Sequence, residues 1–446
     1  MNLLAAVAYN PAMKDKNYVK LLRQASPYIH AHRGKTFVIA ISGDAVLQSN
    51  FHSMVHDIAL LQSLGMRTVV VHGARPQINK RLALSGIETS FEQHLRITGS
   101  EAMLCIKEAV GSTRLAIESQ LSMGLPNSPM HGARIRVIGG NFVTAKPLGV
   151  RDGVDFQRTG EVRRIDSQAI KRQLDDNSIV LISPIGFSAT GESFNLNYED
   201  LAAQVAITLK AEKLILVSDS PGVMNKGSLL RTLSLPQLAE LLETSKDVQQ
   251  ISLLGAAAHA CQLGVERVHL VSYQQDGALL SELLTRDGSG TLISKDYGEI
   301  IRAATIEDVG GILELITPLE DQSVLVKRSR ELLEAEIARF TVVVHPEGFI
   351  VGCAALYPTA DKQIGEVACV ATHTDFNGQG IGSRLFDQIE FQARLQRRSS
   401  LCVMTTQAAH WFLEKGFVRA EVTDLPANKQ SMYNYQRNAG VFYKAI

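Results

Sequence analysis

The stretch Gly365–Leu385 reads GEVACVATHTDFNGQGIGSRL. An apolar run, expected as a strand over Ile364–Ala371, enters the turn Asn377-Gly378-Gln379-Gly380-Ile381-Gly382, and a helix is expected from about Ser383. Glycines let successive backbone N–H groups converge on one point, and a helix N-terminus adds the positive end of its dipole. That geometry suits a pyrophosphate; the plainer alternative is a glycine-rich strand-to-helix turn with no ligand. The turn is not a dinucleotide fingerprint, because it lies in mid-domain and no strand ending in an acid follows ~20 residues later.

Outward from this stretch, Ile300–Ala303, Thr341–Val344, Phe349–Leu356 and Ser400–Met404 read as further strands. Val309, Ile312, Leu313 and Ile316 after Asp308 share one helix face. Upstream of residue 290 the pattern differs. Near-continuous apolar strands (Thr36–Ser42, Arg67–His72, Ile179–Ser183, Lys213–Ser218, Arg267–Val271) alternate with amphipathic helices, one carrying Phe51, Met54, Val55, Ile58, Leu61 and Leu64, another around Leu235–Glu243. Such alternation implies a buried, mainly parallel sheet covered on both faces. Thr285–Glu299 is rich in Gly, Ser and charge, as a linker would be. The expected division is a helical arm over 1–32, an α/β domain over 33–286, a linker over 287–299 and an α+β domain over 300–446.

Composition narrows the class. The chain has 446 residues, 45% hydrophobic and 20% charged, which excludes a disordered, collagen-like or coiled-coil protein. Lys+Arg minus Asp+Glu is 45 − 45 = 0, so no bulk charge draws the chain to nucleic acid or to an anionic membrane. Five dispersed cysteines without a CxxC argue against a disulfide framework or a thiolate metal site and suit a reducing compartment. No run approaches the ~18 apolar residues of a membrane span. A soluble, cytoplasmic protein without metal is expected.

The region from about Ile300 onward resembles the GNAT family of acyl-CoA-dependent N-acetyltransferases. Its pyrophosphate loop, (Arg/Gln)-x-x-Gly-x-(Gly/Ala), falls on Asn377-x-x-Gly380-x-Gly382, with Asn departing from the pattern. Trp411–Phe417 (WFLEKGF) resembles the second family signature. The resemblance implies acetyl-CoA as co-substrate. Its pantetheine arm would lie along Cys369, Val370 and Ala371, and its pyrophosphate over Asn377, Gly378, Gln379, Gly380, Gly382 and Ser383.

Transfer to an amine needs a base for the ammonium proton and a proton for the departing thiolate. Glu366 is the candidate base, with an exposed strand carboxylate as the alternative; Thr405, at a strand end, is the candidate acid. Cys369 reads as a small buried hydrophobe rather than a nucleophile. An amino-acid acceptor would need guanidinium forks for its carboxylates.

Residues 36–295 resemble the amino-acid kinase fold, closest to the acetylglutamate kinase branch, through Val69–Ile78, Asn195–Val223 and Gly264–Ser272. A kinase-type domain fused to a GNAT domain is the arrangement of the bacterial N-acetylglutamate synthases. Those enzymes make N-acetyl-L-glutamate from acetyl-CoA and L-glutamate at the start of arginine biosynthesis, and arginine inhibits them. The resemblance implies Arg328 and Arg437 as glutamate-binding residues. It also implies an arginine site near Glu282 and the turn Gly288-Ser289-Gly290-Thr291, with the carboxylate for the effector's guanidinium and the turn for its carboxylate. The helix at residues 17–32 resembles the one that ties dimers into hexameric rings in the arginine-sensitive members, so the resemblance implies a homo-oligomer, a hexamer.

Kinase chemistry is expected to be lost. The Lys-x-Gly-Gly of the kinases is replaced by Ala40, Ile41, Ser42 and Gly43, the second Gly motif is reduced to Gly73-Ala74-Arg75, and Ile251–Ala258 holds no lysine. Phosphoryl transfer depends on such positioning charge, so no ATP is expected. Two competing readings are an acetylglutamate kinase with an appended domain, and a non-enzymatic arginine sensor with a decayed GNAT domain.

Overall fold

The computed structural model describes residues 11–446 except 93–94, 125–129, 226, 246, 286–287, 296–298, 346–347, 377, 379 and 431–438. The chain divides into two units, Met1–Tyr297 and Gly298–Ile446. Strands of the two main sheets are numbered here in chain order.

The first unit is built on an eight-stranded sheet of β1 Thr36–Ile41, β2 Arg67–His72, β3 Val137–Gly139, β4 Ile179–Ile182, β5 Lys213–Ser218, β6 Thr232–Ser234, β7 Arg267–Ser272 and β8 Thr291–Ser294. Their spatial order is β6-β8-β7-β5-β1-β2-β4-β3. All pairings are parallel except β7 with β8. The side-chain period of two splits each strand between two cores. Val38 and Ala40 of β1 pack under helices Tyr198–Leu209 and Val248–Gln262. Phe37, Ile39 and Ile41 pack under Phe51–Ser63 and Ala278–Leu284. Burial on both faces is why the strands read as unbroken apolar runs. A smaller four-stranded sheet, Ser193–Asn195, Ile185–Phe187, Val143–Pro147 and Gly160–Ile165, lies within the same unit.

One expectation is corrected. Thr291–Ser294, assigned to the linker, is a strand of the main sheet, with Ile293 opposite Val268 of β7. Its four residues are buried. The Gly/Ser/charge-rich sequence on either side hides a strand too short to show a period.

The arm helix spans Pro11–His32. Its C-terminal turns are tied down: Ala25 is buried, and the His32 ring lies 3.0 Å from the Leu283 carbonyl. Val19, Leu21 and Leu22 are exposed.

The second unit is a seven-stranded sheet of β9 Ile300–Ala303, β10 Phe340–Val344, β11 Ile350–Pro358, β12 Ile364–Thr372, β13 Ser400–Thr405, β14 Val418–Ala420 and β15 Gly440–Ala445, in the order β9-β10-β11-β12-β13-β15-β14. Only β12 and β13 pair in parallel; their neighbours are antiparallel. Helix Val309–Asp321 starts where expected. Asp308 accepts the Thr305 N–H at 2.8 Å and a two-pronged bond from Arg302 at 2.6 and 2.9 Å, fixing the entry turn. That helix covers one face, with Val309, Ile312 and Ile316 against Val342 and Cys353. Helix Ile381–Leu395 covers the other, with Leu385, Phe386 and Ile389 against Val343, Val367 and Val403.

Candidate active site

The centre of the second unit is an irregularity in β12. Cys353 of β11 opposes Ala371, but Ala355 opposes Ala368, so β12 carries one extra residue between them. Cys369 takes it up with φ +53°, left-handed for a residue that is not glycine. The consequence appears on the other edge of β12. Its parallel pairing with β13 runs from Ile364↔Ser400 to Val367↔Val403 and stops there. Beyond the bulge, Cys369, Val370 and Ala371 have no β13 partner among the described residues, so their backbone edge is free to pair with an extended ligand.

The open edge leads to the glycine turn. Gly378 and Gly380 have φ +79° and +75°, which only glycine adopts readily. A Cβ at either would meet nothing within 4 Å, so the requirement is conformational and the space above the turn is open. The helix begins at Ile381, two residues earlier than expected, and places the N–H groups of Gly382 and Ser383 in its first turn. Asn377 and Gln379 lie outside the described residues, as does Arg437.

Glu366 sits just before the strands part, paired with Tyr357 of β11 and Cys402 of β13. It is buried, not an exposed strand carboxylate, and forms an ion pair with Lys429 of the short helix Ala427–Gln430. The Lys429 ammonium also lies 5.8 Å from the centre of the Tyr357 ring. Tyr357 donates its hydroxyl to Glu336 at 2.8 Å, and burial with that bond pushes its phenol up to about 12.

Arg328 joins the same group. Burial opposes its charge, but the neighbouring Cys369, Tyr357 and Glu320 outweigh this and raise its guanidinium above the ordinary value. Its backbone N–H is held by Glu320 at 3.0 Å, so the loop that carries it is anchored. Arg330 points elsewhere: it pairs with Glu334 one helical turn on, at 2.8 Å, and is largely exposed. The Cys369 thiol is lowered, chiefly by a bond from the Cys353 thiol and secondarily by Arg328. Thr405 ends β13 as expected. Its oxygen accepts the Ala408 N–H at 3.0 Å, which leaves its own hydroxyl hydrogen free to donate. The structure therefore gathers Glu366, Arg328 and Cys369 around one strand edge. Nothing in the sequence pointed to Tyr357 or Lys429: a strand tyrosine and a lone lysine in a four-residue helix carry no periodic or motif signal.

In the first unit, a cavity of about 340 Å³ lies over the C-terminal ends of β1, β5 and β7, lined by Ser42, Gly43, Arg75, Ser218 and Tyr273 among others. Its charged lining is Asp44, Glu199, Asp219 and Asp247 against Arg75. Four carboxylates and one guanidinium are a poor host for a triphosphate, in keeping with the missing lysines. Glu199 is buried, and burial pushes its carboxyl up to about 7.

The expected effector groups are arranged differently from the sequence reading. Glu282 and the turn are in direct contact with each other. The Glu282 carboxylate itself fills the turn, accepting the N–H groups of Ser289 at 2.6 Å and Gly290 at 2.7 Å. Its other oxygen meets His269 at 2.7 Å, and His269 lies 3.3 Å from the fully buried Lys213. Gly288, with φ +59°, would place a Cβ 2.7 Å from the same carboxylate. Spacing alone could not show that a helix and the turn after it would close on each other.

Both halves of the chain match known sequence families. The amino acid kinase family covers residues 35–272 and the acetyltransferase (GNAT) domain covers residues 337–419. The protein is thus an N-acetyltransferase domain joined to an amino-acid-kinase-type domain. The amino-acid acetyltransferase of Azotobacter vinelandii is 54% identical over 432 residues, 97% of this chain and 100% of that protein. The Pseudomonas putida protein of the same name is 52% identical over 431 residues, 96% of this chain and 100% of that one. The crystal structure of N-acetylglutamate synthase from Neisseria gonorrhoeae, complexed with coenzyme A and L-arginine, superposes with a TM-score of 0.80 at 35% identity, covering 96% of this chain and 99% of that one. The same enzyme complexed with coenzyme A and N-acetyl-glutamate gives 0.62. The chain belongs to the amino-acid acetyltransferases, the family of the bacterial N-acetylglutamate synthases.

The Glu282 arrangement generates a stability prediction. Burial alone would raise this carboxyl, but the bonds from His269, Ser289 and Gly290 carry it down to about 2. A depressed carboxylate stabilises the fold above its unfolded value of about 4.3 and loses that contribution as pH falls toward 2, on the order of 3 kcal/mol in all. Wild type should therefore exceed Glu282→Gln in urea resistance at neutral pH, and the gap should narrow between about pH 5 and about pH 3. A gap independent of pH over that range would show that the carboxylate charge is not what the turn holds.

Proposed function

We propose that the protein transfers the acetyl group of acetyl-CoA to the amine of L-glutamate, giving N-acetyl-L-glutamate at the start of arginine synthesis, and that L-arginine inhibits it through the first unit. The observation that carries the reading is the buried Glu366 carboxylate, held on an ammonium group at the point where β12 and β13 separate.

The pantetheine arm pairs with the free edge of Cys369, Val370 and Ala371. The pyrophosphate rests on the turn of Asn377, Gly378, Gln379, Gly380 and Gly382 and on the first turn of the following helix, which reaches Ser383. Glutamate's ammonium takes the place now filled by Lys429, giving its proton to Glu366 as the nitrogen closes on the thioester carbonyl. Arg328, and by the family resemblance Arg437, bind the two carboxylates. Thr405 is placed at the strand end to protonate the departing thiolate. Transfer is direct, because a thiol buried beneath the acceptor site is not needed once the amine is neutral.

Arginine's guanidinium is assigned to Glu282, with the Gly288–Gly290 turn orienting that carboxylate rather than receiving the effector's own. The exposed Val19, Leu21 and Leu22 suit the arm to a contact between copies in a homo-oligomer, a hexamer by the family resemblance. The described residues contain no helix long and apolar enough to cross a membrane, and five free cysteines suit the cytoplasm.

Release of CoA thiol from acetyl-CoA, measured against a panel of amino acids with and without arginine, tests the whole reading. Glutamate should be preferred, arginine should slow it, and no ATP should be turned over. Glu366→Gln should lower kcat by ~10²-fold or more, with a smaller loss at high pH where the amine sheds its proton unaided. An unchanged pH–rate profile would remove Glu366 from the role of base. Arg328→Ala should raise KM for glutamate about tenfold or more, because a desolvated arginine–carboxylate pair contributes a few kcal/mol; KM for acetyl-CoA should hardly move. Arg330→Ala is the comparison, and a larger glutamate defect there than at Arg328 would show that the assignment fell on the wrong residue of the loop.

A further inference from the structure

The ion pair of Lys429 with Glu366 has no part in acetylating a free amino acid, since the base must be vacated first. We propose that Lys429 is itself an acceptor. Without the amino acid, the enzyme acetylates the Nζ of Lys429 from acetyl-CoA, and the acetylated side chain then blocks the acceptor site. The inference rests on the reading of Glu366 as the base.

The surroundings of Lys429 are those an acceptor's ammonium requires. The Lys429 and Glu366 side chains are 17% and 9% exposed, and the Lys429 ammonium lies over the Tyr357 ring, 5.8 Å from its centre. The segment is held in place: the Gln430 amide donates to the carbonyls of Thr423 at 2.8 Å and Leu425 at 2.7 Å, and the Lys429 N–H donates to Pro426 at 2.7 Å. A tethered amine beside a base and the cofactor edge reacts at high effective concentration. Lys444 provides an internal comparison. It is similarly enclosed, 21% exposed and paired with Glu390. Glu390, however, lies on helix Ile381–Leu395 rather than on β12.

The chemistry balances without a further reagent. The Lys429 ammonium gives a proton to the Glu366 carboxylate. The freed nitrogen attacks the thioester carbonyl, the C–N bond forms and the C–S bond breaks. The sulfur leaves as thiolate and is protonated. The products are Nζ-acetyl-lysine, CoA thiol and one proton. The acetylated side chain has no charge, so Glu366 loses its partner while an amide occupies the acceptor's place.

The test uses the full-length enzyme with excess acetyl-CoA, with and without saturating L-glutamate, and follows acetyl occupancy of Lys429 and Lys444 by peptide mass spectrometry. Lys429 should be acetylated at least about tenfold faster than Lys444. Glutamate should suppress the modification, and Glu366→Gln should slow it by about 100-fold. Preincubation with acetyl-CoA should progressively inactivate the wild type but not Lys429→Arg. Equal occupancy of the two lysines, or a Lys429 rate indifferent to both glutamate and Glu366→Gln, would mean chemical acetylation only and would overturn the proposal. The two readings fail separately. If Glu366→Gln cripples glutamate turnover while wild-type Lys429 stays unmodified, the self-acetylation is wrong and the base stands. If that variant turns over glutamate normally, the base assignment is wrong.

Discussion

The extra residue at Cys369 is the constraint on which the second unit turns. Two parallel strands, β12 and β13, would ordinarily share hydrogen bonds along their whole length. A single bulge on the opposite edge of β12 bends it away after Val367, and among the described residues the backbone beyond has no β13 partner on that inner edge. An unpaired inner edge is costly unless something binds it. A left-handed, non-glycine residue is a further cost of about 1 kcal/mol. Both costs persist because the sheet is held from both faces by the helices Val309–Asp321 and Ile381–Leu395. The same bend sets Glu366 at the mouth of the gap and brings Cys369 against Arg328, so the proposed cofactor edge, base and carboxylate clamp would all follow from one displacement of the chain.

The first unit shows the opposite arrangement, with a kinase-type fold retained while Ala40, Ile41, Ser42 and Gly43 stand where the kinases carry Lys-x-Gly-Gly. Its parallel sheet still opens a cavity over the strand ends, where α/β proteins bind ligands. In its lining, carboxylates outnumber the single arginine. The buried polar groups that remain well organised lie elsewhere, in the chain Lys213–His269–Glu282 and the turn that Glu282 fills. Buried polar groups survive in a core only when each is satisfied. This set is satisfied internally, and it includes the carboxylate assigned to the effector.

Much of the fold was legible because burial on two faces writes itself as unbroken apolar strands, and because the glycine turn before helix Ile381–Leu395 imposes a conformation few residues accept. Three things were not. Strand β8 is four residues long within polar, glycine-rich sequence, and only its partners β6 and β7 make it a strand. The bulge has no glycine to mark it, since Cys369 adopts φ +53° under tertiary pressure. Lys429 meets Glu366 across 63 residues of chain, and no spacing rule reaches that far. At Glu282 and the turn after its helix the mutual contact was not foreseen, because hydrogen bonds between a helix and the loop after it depend on how sharply the chain returns.

These two sites share a physical principle. Each charge that would meet a substrate or effector is already met by a group of the protein: Glu366 by Lys429, Glu282 by His269 and two backbone N–H groups. An isolated buried carboxylate would be expensive, or would hold its proton and lose the chemistry. Keeping it paired preserves both the charge and the fold. Ligand binding at such a site is then an exchange of partners rather than the filling of a vacancy, and its free energy is a difference between two satisfied states. An acceptor ammonium gains little over Lys429 at Glu366 alone. Discrimination must therefore come from groups the internal partner cannot reach, which is where the Arg328 guanidinium and the second carboxylate of a dicarboxylic amino acid enter.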